Sequence, residues 1–211
     1  MSDLALRRSL VDHARRMNAL GINQGKSGNL SVRIDGGFLV TPSGMAYDAM
    51  TAGDIVVVHL DGTTGGRRAP SSEWRLHRDI YQRRTEAAAI VHAHAMFATT
   101  LSCLDRKIPA FHYMVAAAGG VDVRCAPYAT FGTQALSDHA LAALEDRRAC
   151  LHSHHGMTVF SSGLAEALAL AVEVETLAAM YWRALQIAEP SLLPDEEMRV
   201  VLEKFETYGK R

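Results

Sequence analysis

Apolar positions recur at helical spacing near the start of the chain, at Leu6, Leu10, Ala14 and Met17. That spacing places them on one face and predicts an amphipathic helix over Asp3–Leu20, with Gly21 as its C-terminal cap. The pattern then shortens. Asn29–Ile34, Phe38–Thr41 and Ile55–Leu60 read as strands, with Asp35-Gly36-Gly37 as a hairpin-like turn. A helix is expected to begin near Ser72, an N-cap candidate, and to run through Tyr81. Ala89–His94 reads as a strand and Thr133–Asp146 as a helix. Two strands follow, Ala149–His154 and Met157–Phe160, with His155-Gly156 in the turn between them. Leu164 to about Ala188 reads as a long Ala-rich helix that stops before Pro190, and Asp195–Phe205 as a short final helix. Interleaved helices and strands predict an α/β sandwich. The hairpin-like spacings predict a largely antiparallel sheet.

Composition narrows the class. The 211 residues, 48% of them hydrophobic, suit one domain over 1–211 with a full core. The longest apolar stretch, Leu164 to Met180, carries Glu166, Glu173 and Glu175, which argues for a soluble helix and against a membrane span. The opening Met1-Ser2-Asp3-Leu4 lacks the apolar core of a signal peptide. Net charge is -1, and no basic run suggests nucleic acid as a partner. Cys103, Cys125 and Cys150 are odd in number and far apart, which reads as reduced thiols in a cytoplasmic protein.

The chemistry starts with Ile90-Val91-His92-Ala93-His94. Alternation along a strand sends both imidazoles to one face, and two neutral imidazoles are most of a first-row metal site. A third ligand is available in Leu151-His152-Ser153-His154-His155-Gly156, but alternation alone does not choose among its histidines. His13, His59, His77, His112 and His139 are scattered and read as non-ligands. Glu73 reads either as a helix-start carboxylate favoured by the dipole or as a general base beside the metal. Three segments of small and hydroxyl residues suit an anion: Gly28-Asn29-Leu30-Ser31, Thr41-Pro42-Ser43-Gly44 and Pro70-Ser71-Ser72. Lys26, near the first, reads as solvated.

The ordered set Gly-Asn-x-Ser, Thr-Pro-Ser-Gly, Ser-Ser-Glu-Trp-Arg-x-His, His-x-His and His-His-Gly resembles the class II aldolase/adducin family. The likeness runs from Leu20-Gly21-Ile22-Asn23-Gln24-Gly25 through Ile108–Gly120 and Cys125–Thr133 to Glu203–Gly209. It implies a three-layer α/β/α sandwich around a mainly antiparallel sheet. It implies Zn2+, or another divalent ion, on His92, His94 and His155, with Glu73 as acid/base. Asn29, Ser43, Gly44, Ser71 and Ser72 match phosphate-binding positions. Tyr113 matches a tyrosine that reaches a neighbouring subunit's site. Phe131, Phe205 and Tyr208 match an aldehyde pocket, the last two on a mobile tail at about 195–211. The implied assembly is a fourfold homotetramer with sites between subunits.

The implied reaction is reversible cleavage of a ketose 1-phosphate to dihydroxyacetone phosphate and a small aldehyde. L-fuculose 1-phosphate is the favoured substrate, with 5-methylthioribulose or 5-deoxyribulose 1-phosphate as the rival. A pentulose-phosphate 4-epimerase is opposed by Tyr113 and the tail. A non-catalytic adducin-like module is opposed by the complete set of histidines and Glu73. The departures are Ala93 where Asn is expected, Ser43 where Thr is usual, and the additional His152.

Overall fold

The structure, a computed structural model, describes residues 3–207. Its strands are β1 (Asn29–Ile34), β2 (Gly37–Val40), β3 (Val56–His59), β4 (Thr64–Gly65), β5 (Ala89–Ala93), β6 (Arg124–Ala126), β7 (Ala149–His152) and β8 (Gly156–Ser161). They form one sheet in the order β4-β3-β2-β1-β5-β8-β7-β6. Every pairing is antiparallel except β6 with β7. The helices are α1 (Asp3–Ala19), α2 (Trp74–Arg83), α3 (Met96–Ser102), α4 (Gln134–Ala143), α5 (Leu164–Leu185) and α6 (Asp195–Thr207). No described helix is long and apolar enough to cross a membrane.

Strand alternation divides the interior into two layers. Val91 of β5, Leu30 of β1 and Val159 of β8 enter a core with Leu10 and Met17 of α1, Leu101 of α3, Val174 of α5 and Met198 of α6. Ile90 and Phe160, one residue out of phase, enter a second core with Leu76 and Ile80 of α2 and Ala140 of α4. Each such large side chain contributes about 1.5–3 kcal/mol on burial. The sheet is thus sandwiched between helical layers, as the resemblance implied. His92 has the parity of Ile90 and lies on the α2/α4 side. Register aligns it with Asn29 on β1 and with Thr158 on β8. The end of β5 is tightly flanked, since a Cβ at Gly28 would come within 2.7 Å of the His92 carbonyl oxygen and one at Gly156 within 2.5 Å of the Ala93 carbonyl oxygen.

Some local expectations shift. The N-cap of α2 is Glu73, not Ser72, and no side chain caps that terminus. The β7–β8 turn is Ser153–His155, and Gly156 already belongs to β8. Helix α3 was not anticipated. Its N-terminus has no local cap; Glu175 of α5 instead accepts from the backbone N–H of Phe97 and Ala98, both at 2.8 Å. Helix α6 docks on the 3₁₀ turn Tyr113–Ala118 through buried Met198 and Val201. Tyr208 lies outside the described residues.

Candidate active site

Four groups converge at the end of β5. His92 comes from the strand, His94 from just beyond it, His155 from the β7–β8 turn and Glu73 from the start of α2. One ligand atom from each lies within 4.8 Å of the others. Nε2 of His92 is 3.2 Å from Glu73 Oε2 and 3.2 Å from Nε2 of His94, and Nε2 of His155 is 3.3 Å from Glu73 Oε1. The five histidines read as non-ligands stay out of this cluster.

Burial sets the charge state. It drives His92 well below the usual imidazole range, lowers His94 and pushes His155 down to about 4. All three rings are therefore neutral near pH 7 and offer lone pairs. Burial raises Glu73 to about 7, opposed by the hydrogen bond from Asn29. Glu73 Oε1 is buried without a hydrogen-bond partner. Three neutral nitrogens and a carboxylate oxygen with unused acceptor capacity fit a divalent first-row ion with a coordination position left open.

A second layer of contacts orients these groups. Nδ1 of His92 lies 3.1 Å from Thr158 Oγ1, which in turn lies 2.7 Å from Nε2 of His152. His152 is therefore buried in the sheet behind His92 and outside the ligand set. His154 takes a left-handed backbone (φ 53°), exposing its own side chain at the cleft while His155 turns inward. The choice among the three late histidines is made by that turn. The backbone N–H of His94 donates to buried Asn23 Oδ1 at 3.3 Å. Behind Glu73, the Asn29 amide donates to Oε2 at 2.9 Å, and the Glu73 backbone N–H donates to Ser71 Oγ at 3.3 Å.

The carboxylate opens into a cleft of about 390 Å³. Ser43, Gly44, Ser72 and Phe131 line it, with His94 and His155 on its floor. The two hydroxyl-bearing loops are joined backbone to backbone, from Ser43 N–H to Ala69 O at 3.1 Å and from Ser71 N–H to Thr41 O at 3.0 Å. Asn29 and Ser71 are buried beneath this rim. Lys26, Ser27, Tyr128 and His154 also line the cleft, and sequence reasoning had not assigned them there. Lys26 was legible only as a neighbour of the Gly-Asn-x-Ser loop. Tyr113 and Phe205 lie elsewhere, in an apolar groove with Phe111, Met114, Leu193 and Val201.

Known proteins resemble this chain along nearly its whole length. The sequence profile of the class II aldolase and adducin N-terminal domain matches residues 8–182. A 5-methylthioribulose-1-phosphate/5-deoxyribulose-1-phosphate aldolase of Rhodospirillum rubrum is 57% identical over 208 residues, spanning 99% of this chain and 94% of that protein. An L-fuculose phosphate aldolase of Escherichia coli is 50% identical over 207 residues, spanning 98% and 96%. A solved L-fuculose 1-phosphate aldolase superposes with a TM-score of 0.93 at 41% identity, covering 98% of this chain and 97% of that one.

Proposed function

Because the chain belongs to the class II aldolase and adducin family, we propose that it is a metal-dependent aldehyde-lyase cleaving a ketose 1-phosphate to dihydroxyacetone phosphate and a small aldehyde. The observation that carries this reading is the convergence of His92, His94, His155 and Glu73 at the floor of a cleft rimmed by serine and glycine loops.

Nε2 of His92, His94 and His155 would hold the metal, zinc in this reading, with Glu73 able to approach it. The ion supplies a Lewis acid that stabilises the negative charge left on C3 when C3–C4 breaks. The remaining work belongs to the chain. The exposed Ser43, Gly44 and Ser72, with Ser71 behind them and the second amide hydrogen of Asn29, bind the phosphate. Anchoring that non-reacting end orients the reacting carbons. As the bond breaks, the C4 hydroxyl loses its proton and C4 becomes the aldehyde carbon. Its electron pair stays on C3, conjugated with the C2 carbonyl. Glu73 then delivers a proton to C3, and removes it in the synthetic direction.

Tyr113 of a neighbouring subunit, or a water, is the candidate acceptor of the C4 proton. The exposure of Tyr113, in a groove that its own cleft does not share, supports a homotetramer with sites between subunits. Phe131 at the cleft mouth, with Phe205 and Tyr208 of a neighbour, would shape the aldehyde side. We read 1–211 as one such unit, and place it in the cytoplasm on the strength of its free cysteines.

The 57% relative bears the 5-methylthioribulose and 5-deoxyribulose name, which brings those substrates level with L-fuculose 1-phosphate. All three ketoses share the donor half and differ beyond C4. The test is release of dihydroxyacetone phosphate from fuculose, deoxyribulose and methylthioribulose 1-phosphates, with and without chelator, on protein of measured metal content. Release that the chelator abolishes is expected. No release from any of them by metal-loaded protein would overturn the aldolase reading.

A further inference from the structure

We infer that His77 is a positioning residue for Glu73, holding the carboxylate through Asn29 at the end of a buried hydrogen-bond chain that donates in one direction only. The inference rests on the reading of Glu73 as the proton carrier. Five residues form the chain, and all are buried: Tyr81, Ser31, His77, Asn29 and Glu73. Tyr81 and His77 come from α2, Ser31 and Asn29 from β1. Tyr81 OH is 2.8 Å from Ser31 Oγ, Ser31 Oγ 2.6 Å from His77 Nδ1, His77 Nε2 2.5 Å from Asn29 Oδ1, and Asn29 Nδ2 2.9 Å from Glu73 Oε2.

The direction follows from what each atom can do. An ionised Glu73 only accepts, so Asn29 must present its amide nitrogen to Oε2. That turns Oδ1, also only an acceptor, toward His77, so Nε2 must carry the ring proton. Burial pushes His77 down to about 3, so the ring is neutral and has one N–H. Nδ1 then accepts, Ser31 donates to it, and Tyr81 donates to Ser31. Flipping the Asn29 amide would put oxygen against oxygen at Glu73 and nitrogen against N–H at His77. Moving the ring proton to Nδ1 would set two acceptors 2.5 Å apart at Asn29. No single member can reverse alone, and such a chain is stiffer than its separate bonds.

The stiffness bears on the carboxylate itself. Glu73 is the N-cap residue of α2, yet its side chain makes no capping bond. Asn29 fixes Oε2, while Oε1 makes no hydrogen bond, though it lies 3.3 Å from His155 Nε2, and is the oxygen left to carry the proton that moves. The His77 ring makes its hydrogen bonds to Ser31 and Asn29, and it acts by preventing the Asn29 amide from turning.

The test uses the metal-loaded protein. Imidazole ¹⁵N spectra of the unmodified protein should show His77 as the Nε2–H tautomer, and an Nδ1–H tautomer overturns the inference. This readout does not depend on which substrate is turned over, so it stands even if no ketose phosphate is cleaved. His77→Leu should retain metal and lose about 10–100-fold in kcat and in solvent deuterium exchange at C3 of dihydroxyacetone phosphate, with KM moved much less. His77→Gln, whose amide nitrogen reaches the place of Nε2, should recover most of that loss. Ser31→Ala removes the donor to Nδ1 and should lower exchange as well; it decides the matter if His77→Leu does not fold. Unchanged exchange in a folded, metal-loaded His77→Leu or Ser31→Ala protein overturns the inference.

Discussion

The His92 imidazole meets the Thr158 hydroxyl across neighbouring strands, Nδ1 to Oγ1 at 3.1 Å, so the ring nitrogen turned away from the cluster has a fixed partner. With Nε2 given to a metal, Nδ1 must donate and Thr158 must accept; the same hydroxyl lies 2.7 Å from His152 Nε2. Thr158→Val keeps the shape and removes the acceptor. Metal affinity is expected to fall about 10–100-fold, read by chelator competition. Equal affinity would show that packing alone holds the ring.

Removing a ligand and removing the proton carrier should separate two properties. His94→Ala should lose bound metal and activity together. Glu73→Gln should keep metal by elemental analysis while C3 deuterium exchange falls about 10²–10⁴-fold. Normal exchange in Glu73→Gln would remove Glu73 from its role.

Lys26 is exposed on the rim of the cleft that also holds Ser43, Gly44 and Ser72. A cation there attracts a phosphate dianion through water, so the attraction is screened by salt. Lys26→Met is expected to raise KM about 2–10-fold at low ionic strength, with the difference shrinking above about 0.15 M salt. A KM ratio independent of salt would count against a charge contribution.

Acid stability should depend on Asp54. The Thr51 hydroxyl, together with the Thr51 backbone N–H and the Arg68 and Arg67 guanidiniums, holds this buried carboxyl well below its ordinary value of 3.8. A folded-state pKa below the unfolded one means stability that is fully present above the unfolded value. It is lost as pH falls through the folded value. Asp54→Asn is expected to cost about 1–3 kcal/mol at pH 7. The gap to the unmodified protein should narrow below about pH 4 in denaturant titrations. A constant gap would rule out the carboxylate's charge as its source.

The sequence disclosed the parts of the site that depend on local spacing. Alternation brings His92 and His94 together in the sequence, and they do meet, although His94 lies just past the end of β5; Leu10, Ala14 and Met17 face the core because helical spacing requires it. Contacts between distant segments were not legible. Thr158 meets His92 only through the β5–β8 register. His77 reads as one scattered histidine until α2 lies over β1. Glu175 caps α3 from 77 residues away at Ala98, so no local signal marks where that helix begins. The resemblance supplied His155 over its neighbours; the physical reason is the left-handed His154, which strand alternation does not anticipate.

The position of β5 in the middle of the sheet ties the metal centre to the protein's global unfolding. β5 is bonded to β1 on one side and β8 on the other, and His155 sits in the turn that leads into β8. Amides of strands paired on both sides are expected to be among the slowest to exchange with solvent. The mouth of the cleft, at Tyr128 and Phe131, lies on an exposed loop outside the sheet. Heat is therefore expected to dismantle the cluster of His92, His94, His155 and Glu73 and the fold in one cooperative step, while substitutions at Tyr128 or Phe131 are expected to leave that cluster in place.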